Sequence, residues 1–232
     1  MHDFRAQRRA VPSHVAGSAG TRLVSLVLGL LSLSSFAWAA ETAEQPVWEL
    51  DDSWTYARTF FATPLTHRTE QSSFTLVVRE KGQDSYVMQV SGVDSGGKAT
   101  QGRRQWSLAT NFVNRGGSSG KLQEYIWYKW PLEEGKTWEM AWFQESLGEG
   151  VWKAKVRGWE TVTVPAGTFR AMRIELDNSC YYGGVDAGFC GQADVVWYSP
   201  QVKRHVRMER RTFKGNYMGT NMLEELTAYS LH

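Results

Sequence analysis

Charge of one sign is scarce in this chain. Lys+Arg number 26 against 24 Asp+Glu, and Arg5, Arg8, Arg9, Arg22 and Asp3 all sit in the first 39 residues. Without that segment acidic side chains outnumber basic ones by one, so the basic footprint of a nucleic-acid binder is excluded. Cysteine is nearly absent: Cys180 and Cys190 are the only two. Their spacing is not the C-x-x-C of a redox pair, and the segment lacks the further ligands that zinc needs. Long apolar runs are missing too. The longest, Leu23 to Ala37, is Ser-rich and falls short of the roughly 20 residues of a membrane span. Helical periodicity is almost absent beyond it.

Catalytic signatures are also lacking. His67, His205 and His232 stand in no metal-ligand spacing. His205, flanked by Arg204 and Arg207, reads as a solvated side chain on a polar strand face. Gly116 to Gly120 matches the serine-hydrolase elbow formally, with Ser118 in the nucleophile slot. That elbow needs a strand, a helix and a parallel sheet, whereas Ser118 lies in a Gly-rich turn. Asp177, Asp186 and Asp194 lack the dense Asp/Gly run of a calcium loop. Asp51-Asp52 and Glu133-Glu134 read as solvated acidic turns. No enzyme, metal or cofactor is expected.

What is present begins with an address. The four arginines precede the apolar stretch, and Ala37-Trp38-Ala39 offers small residues where a signal peptidase reads them. We expect a signal peptide over 1–39 with cleavage after Ala39, a short linker over 40–46, and a single β-rich domain over 47–232. The alternative is a retained signal anchor. The protein is expected to be periplasmic or secreted, with no integral membrane span after cleavage. In that compartment Cys180 and Cys190 are expected to form a disulfide closing the loop between them.

Beyond the leader, period-2 alternation recurs between Gly, Asn and Ser clusters. Phe74, Leu76 and Val78 share one face of their run, as do Tyr86, Met88 and Val90. Trp152, Ala154 and Val156 oppose Lys153, Lys155 and Arg157. Lys203, His205, Arg207, Glu209 and Arg211 make a polar face. The C-terminal Asn221–His232 segment fits a final strand better than a helix. With no βαβ pattern, the fold class is all-β: an antiparallel, strongly curved sheet or partly open β-barrel of about a dozen strands. Pro165-Ala166-Gly167 fits a three-residue hairpin loop, with Pro165 presetting φ and Gly167 taking positive φ. Val47–Arg58 and Trp130–Trp142 echo one another, each an acidic turn followed by a Trp-bearing strand, as two halves of one curved sheet would.

The stretch from Gly158 to Glu175, with Val195 to Glu209 and a closing Glu224–Tyr229, resembles a group of exported bacterial proteins of unknown function called TapB-like. Asp51–Arg58 and Pro131–Met140 are similar to the strand openings of that group. The resemblance spans most of Val47 to Tyr229. It implies a curved antiparallel sheet with a LolA-like outline and carries over no catalytic residue. The Cys180–Cys190 loop departs from the pattern.

Tryptophan is the remaining signal: eleven occur, all but Trp38 beyond the leader. The run around Trp127 and Trp130 places aromatics on both faces. One face can be core; the other needs a second layer, a partner or a ligand. The expected ligand-binding residues are Trp127, Trp130, Trp138 and Trp142, with Lys203, Arg204 and Arg207 meeting a head group. The expected guest is a lipid or acyl chain, another amphipathic small molecule, or an apolar peptide. An envelope protein partner, a carbohydrate-binding module and a two-carboxylate glycan enzyme remain alternatives.

Overall fold

The computed structural model describes residues 41–116, 121–144, 148–182, 188–214 and 217–232. They form twelve strands: β1 (Ser53–Phe60), β2 (Glu70–Lys81), β3 (Ser85–Val93), β4 (Ala99–Ser107), β5 (Phe112–Gly116), β6 (Lys121–Tyr125), β7 (Thr137–Gln144), β8 (Gly148–Val164), β9 (Gly167–Tyr182), β10 (Gly188–Ser199), β11 (Arg204–Lys214) and β12 (Tyr217–Ser230). All pair antiparallel in one sheet of order β6-β5-β4-β3-β2-β1-β12-β11-β10-β9-β8-β7. Two six-strand meanders therefore meet at β1 and β12. The sheet curls round so that β6 and β7 are its two ends. Residues between them close most of the gap: Trp138 donates its indole N–H to the Ile126 carbonyl at 2.9 Å, and Asn111 exchanges two hydrogen bonds with the Tyr128 backbone. The expected all-β, partly open barrel is what forms.

The echo between the two acidic turns has a structural counterpart. The Asp51 N–H bonds to the Val78 carbonyl, and the Val78 N–H returns to Asp52. Likewise Gly135 bonds to Val156, and Val156 returns to Lys136. Each turn thus docks on the second strand of its own meander. The acidic turns are not both solvated, however. Asp52 is fully buried, accepting from the Glu49 and His232 backbone N–H groups and from Lys203 Nζ at 3.1 Å. A buried carboxylate is tolerable only with such partners.

Alternation places the core. Trp54 and Tyr56 of β1, Leu76 and Val78 of β2, and Tyr86 and Met88 of β3 are all buried and face inward. They pack in one cluster with Trp48, Trp106, Val202 and Val206. A second cluster gathers Tyr128, Leu132, Trp138, Ile174, Tyr198 and Met208. The 3-10 turn Pro200–Val202 fills one end of the barrel, where Trp54 and Trp48 donate their indole N–H groups to the carbonyls of Val202 and Lys203. A buried indole of this size contributes roughly 4–6 kcal/mol by area.

Two local expectations are corrected. The Pro165 hairpin closes one residue earlier than a three-residue loop would, because Val164 pairs with Gly167. Gly167 does adopt positive φ, 135°, as the tight return requires. In β11 the ladder passes from Arg207 to His205 opposite Trp197 and Tyr198, so Val206 is an extra residue. This bulge breaks the alternation that put Lys203, His205 and Arg207 on one face. His205 is buried, 2 % exposed, rather than solvated.

Candidate functional site

The inner face of the sheet is not filled everywhere. Between the two clusters lies an open-sided cavity of about 440 Å³. Its apolar wall comes from Phe60, Phe74, Trp106, Phe112, Trp127 and Met222. Alternation explains how charge enters the same space. Trp54, Tyr56 and Arg58 share one face of β1; Met222, Glu224 and Leu226 share one face of β12. Arg58 and Glu224 therefore project inward beside apolar neighbours. They also stand opposite each other in the β1–β12 ladder.

Glu224 is the most constrained group in the cavity wall. It is 2 % exposed and accepts from Arg58 Nη2 at 2.6 Å, Arg58 Nε at 2.9 Å and His205 Nε2 at 2.8 Å. Burial pushes its pKa up, but the His205 hydrogen bond and the Arg58 charge outweigh burial and hold the carboxyl at about 2. Burial is also the main influence on His205, lowering its pKa against the opposing bond to Glu224. The ring is thus neutral with its proton on Nε2, donating to Glu224. Tyr56 stacks on it at 4.7 Å between centroids and donates its hydroxyl to the His205 carbonyl at 2.8 Å. Trp127 meets the same ring edge-on at 6.2 Å. Thr212 and Thr220 supply hydroxyls to the wall.

Four arginines line the cavity, and only two are neutralised. Arg58 pairs with Glu224. Arg210 makes a two-pronged pair with buried Asp194, Nε to Oδ1 at 2.9 Å and Nη2 to Oδ2 at 2.7 Å. Arg204 is 7 % exposed and has no carboxylate within ion-pair distance among the described residues. Its guanidinium lies 5.3 Å from the ring centroid of Trp48, 5.5 Å from Trp54 and 5.3 Å from Trp106. Its Nε has no hydrogen-bond partner, and its Nη1 reaches only the Met88 sulfur at 3.9 Å. Arg104, exposed at the rim, lies 5.9 Å from the Phe112 ring centroid. Partial burial, then the charge of Arg58, pushes the Arg104 pKa below its ordinary value against the opposing charge of Glu224, with Arg204 adding to the lowering.

The sequence-expected site residues separate. Trp127 and Arg204 line the cavity. Trp138 is buried in the second cluster, tied to Ile126. Trp130 packs on Tyr128 and Tyr198 and donates to the Ala109 carbonyl at 2.8 Å. Trp142 belongs to β7, and its side chain lies outside the described residues. Lys203 holds Asp52. Arg207 alternates with the inward Met208, lies over Trp197 and pairs with Glu209. Asp177 is exposed, and no cluster of three or more His, Cys, Asp or Glu suited to a metal occurs among the described residues. Ser118 and Asp186 lie outside them. The ladder faces Cys180 with Cys190 across β9 and β10. Opposed residues in an antiparallel pair stand about 4.5–5.5 Å apart at Cα, a spacing a disulfide can bridge. Their side chains are outside the described residues.

Sequence reading missed Arg58, Arg104, Arg210 and Glu224. A usable signal existed for two of them: Arg58 and Glu224 are opposite charges set within otherwise apolar alternating faces.

No family model matches the chain, and no curated protein matches it. Solved structures do align with it. A candidate lipoprotein of Parabacteroides distasonis aligns with TM-score 0.51 and 12% identity over 82% of this chain and 100% of that one. The common element is the fold. A candidate exported protein with a YmcC-like fold from Bacteroides fragilis gives 0.46 at 14% identity, over 81% and 99% of the two chains. The hypothetical lipoprotein YmcC of Escherichia coli gives 0.37 at 9%, over 76% and 86%. These neighbours are candidate exported proteins or lipoproteins, and no helix among the described residues is long and apolar enough to cross a membrane.

Proposed function

We propose that the chain is an exported, non-enzymatic cell-envelope protein that takes up an apolar or amphipathic guest, a lipid or acyl chain, on the concave face of its sheet. The observation that carries this reading is the aromatic cavity of about 440 Å³. Its volume lies within the roughly 300–1,000 Å³ of small-molecule sites, and its lining sets apolar side chains beside a comparable share of polar ones, four of them arginines, as an amphipathic guest would need. The enclosed position of the rings favours a small guest over a flat glycan strip: no Trp is among the exposed large hydrophobics of the described residues. The apolar leader ending at Ala39, and a fold neighbour that is a candidate lipoprotein, support an envelope location. Kinship with the TapB-like exported proteins belongs to the same proposal and rests on the Gly158–Glu209 motifs.

Native mass spectrometry of protein isolated from the envelope fraction without detergent tests it. The expected spectrum contains, besides the free chain, a species heavier by the mass of an acyl-chain molecule that organic solvent extracts. Free chain alone, with Trp emission indifferent to added fatty acid, would overturn the reading.

A further inference from the structure

We propose that the cavity selects its guest by an anionic head group, held by Arg104 and Arg204, with a single acyl chain lying on the Phe60, Phe74 and Trp127 wall. This rests on the reading that the cavity takes an amphipathic guest, and adds to it which end is recognised and by what.

The argument is a charge account. The carboxylates beside the cavity are committed: Glu224 to Arg58 and His205, Asp194 to Arg210 and Gln192, while Asp94, in the adjoining groove that Arg104 also lines, accepts from the Gly96 and Lys98 N–H groups. Arg104 and Arg204 have no carboxylate within ion-pair distance among the described residues; ring faces surround them, with the Met88 sulfur and the Tyr56 hydroxyl beside Arg204. A buried cation is costly unless something compensates it. Ring faces supply part of that compensation for Arg204, but they do not consume the N–H groups at the edge of its guanidinium. Its Nε is buried without a partner, and an unmet buried donor of this kind costs about 1–3 kcal/mol or more. Three indoles hold the group against one wall, so little freedom remains to be lost when an anion arrives. Planar guanidinium edges match a carboxylate or phosphate oxygen pair. Arg104, on β4 at the rim, offers a second cation where a guest would enter. The carboxylate of the wall, Glu224, already shares its charge between Arg58 and His205. The cavity lies at the small end of ligand sites, which suits one chain.

The test titrates the whole protein with dodecanoate and with dodecanol at pH 8, following Trp emission. The chain length is the same and only the head group differs. Dodecanoate is expected to bind roughly tenfold or more tightly, the worth of one charge-assisted hydrogen bond. Arg104→Gln and Arg204→Gln are each expected to shrink that preference, read in each variant as the ratio of dodecanoate to dodecanol affinity. Arg104 is exposed, so its variant keeps the test decisive if Arg204→Gln fails to fold. Equal affinity for acid and alcohol overturns the head-group proposal and leaves the apolar reading standing. A preference that survives both substitutions overturns the assignment to these arginines. Binding of neither probe overturns both readings.

Discussion

Replacing Glu224 by glutamine removes one negative charge from the cavity wall but keeps an oxygen facing the His205 N–H and the Arg58 guanidinium. In the folded protein the carboxyl titrates at about 2, against an ordinary 4.5. Unfolded, it regains the ordinary value. A depressed folded pKa means the unfolded chain binds the proton first on acidification, so stability is present above pH 4.5 and is lost as pH falls toward 2. The difference of about 2.5 units corresponds to roughly 3 kcal/mol at neutral pH, without a large correction for screening because Glu224 is 2 % exposed. About 2 kcal/mol of that is gone by pH 3 by the same linkage. Urea unfolding of the wild type and of Glu224→Gln, followed by Trp emission between pH 5 and pH 3, reads it. The variant is expected to be roughly 3 kcal/mol less stable at pH 5 and to approach the wild type by about 2 kcal/mol at pH 3. A gap that stays constant over this range would refute the reasoning, because the cost would then come from shape and not from charge.

Other perturbations follow from neighbouring geometry. His205 has a depressed pKa, so its contribution is complete above the unfolded value near 6.5 and declines as pH falls below it; His205→Gln should flatten the first acid limb of the stability curve. Asp52→Ala leaves the Lys203 ammonium and two backbone N–H groups without their acceptor and should cost about 3 kcal/mol in chemical denaturation. An added Cβ at Gly92 would clash with the Ser73 carbonyl oxygen, whereas one at Gly102 meets open space; Gly92→Ala should lower Tm by several degrees and Gly102→Ala should not. Non-reducing peptide mapping should recover Cys180 and Cys190 in one cross-linked peptide, and reduction should cost somewhat under about 3 kcal/mol.

The strands were legible because each buries one face, and burial imposes a period of two that survives in the sequence. Leu76 with Val78, Tyr86 with Met88, and Ala154 with Val156 all report it directly. The echo of the acidic turns was legible for a related reason: Asp51 and Gly135 both adopt positive φ before a strand that must begin at a fixed place on the sheet. What escaped was non-local. The extra residue at Val206 has no signature of its own, yet it turns His205 inward and ends the apparent polar face. The tryptophans suggested a binding strip because their number was visible and their partners were not. Several of those indoles spend their N–H on backbone carbonyls, as Trp48, Trp54, Trp130 and Trp138 do, and serve as pins of the barrel. The cavity cations come from β1, β4 and β11, three strands whose adjacency in space depends on the closure between β1 and β12.

Quenching by a brominated fatty acid tests the central claim most directly, because bromine quenches only indoles it approaches. The account expects saturable, one-site quenching whose amplitude falls in Trp127→Phe, which removes one of the cavity-wall indoles and leaves Trp106, and is retained in Trp159→Phe, whose ring lies under Arg170 away from that wall. Quenching that never saturates, or that is the same in both variants, would contradict a guest bound inside the sheet.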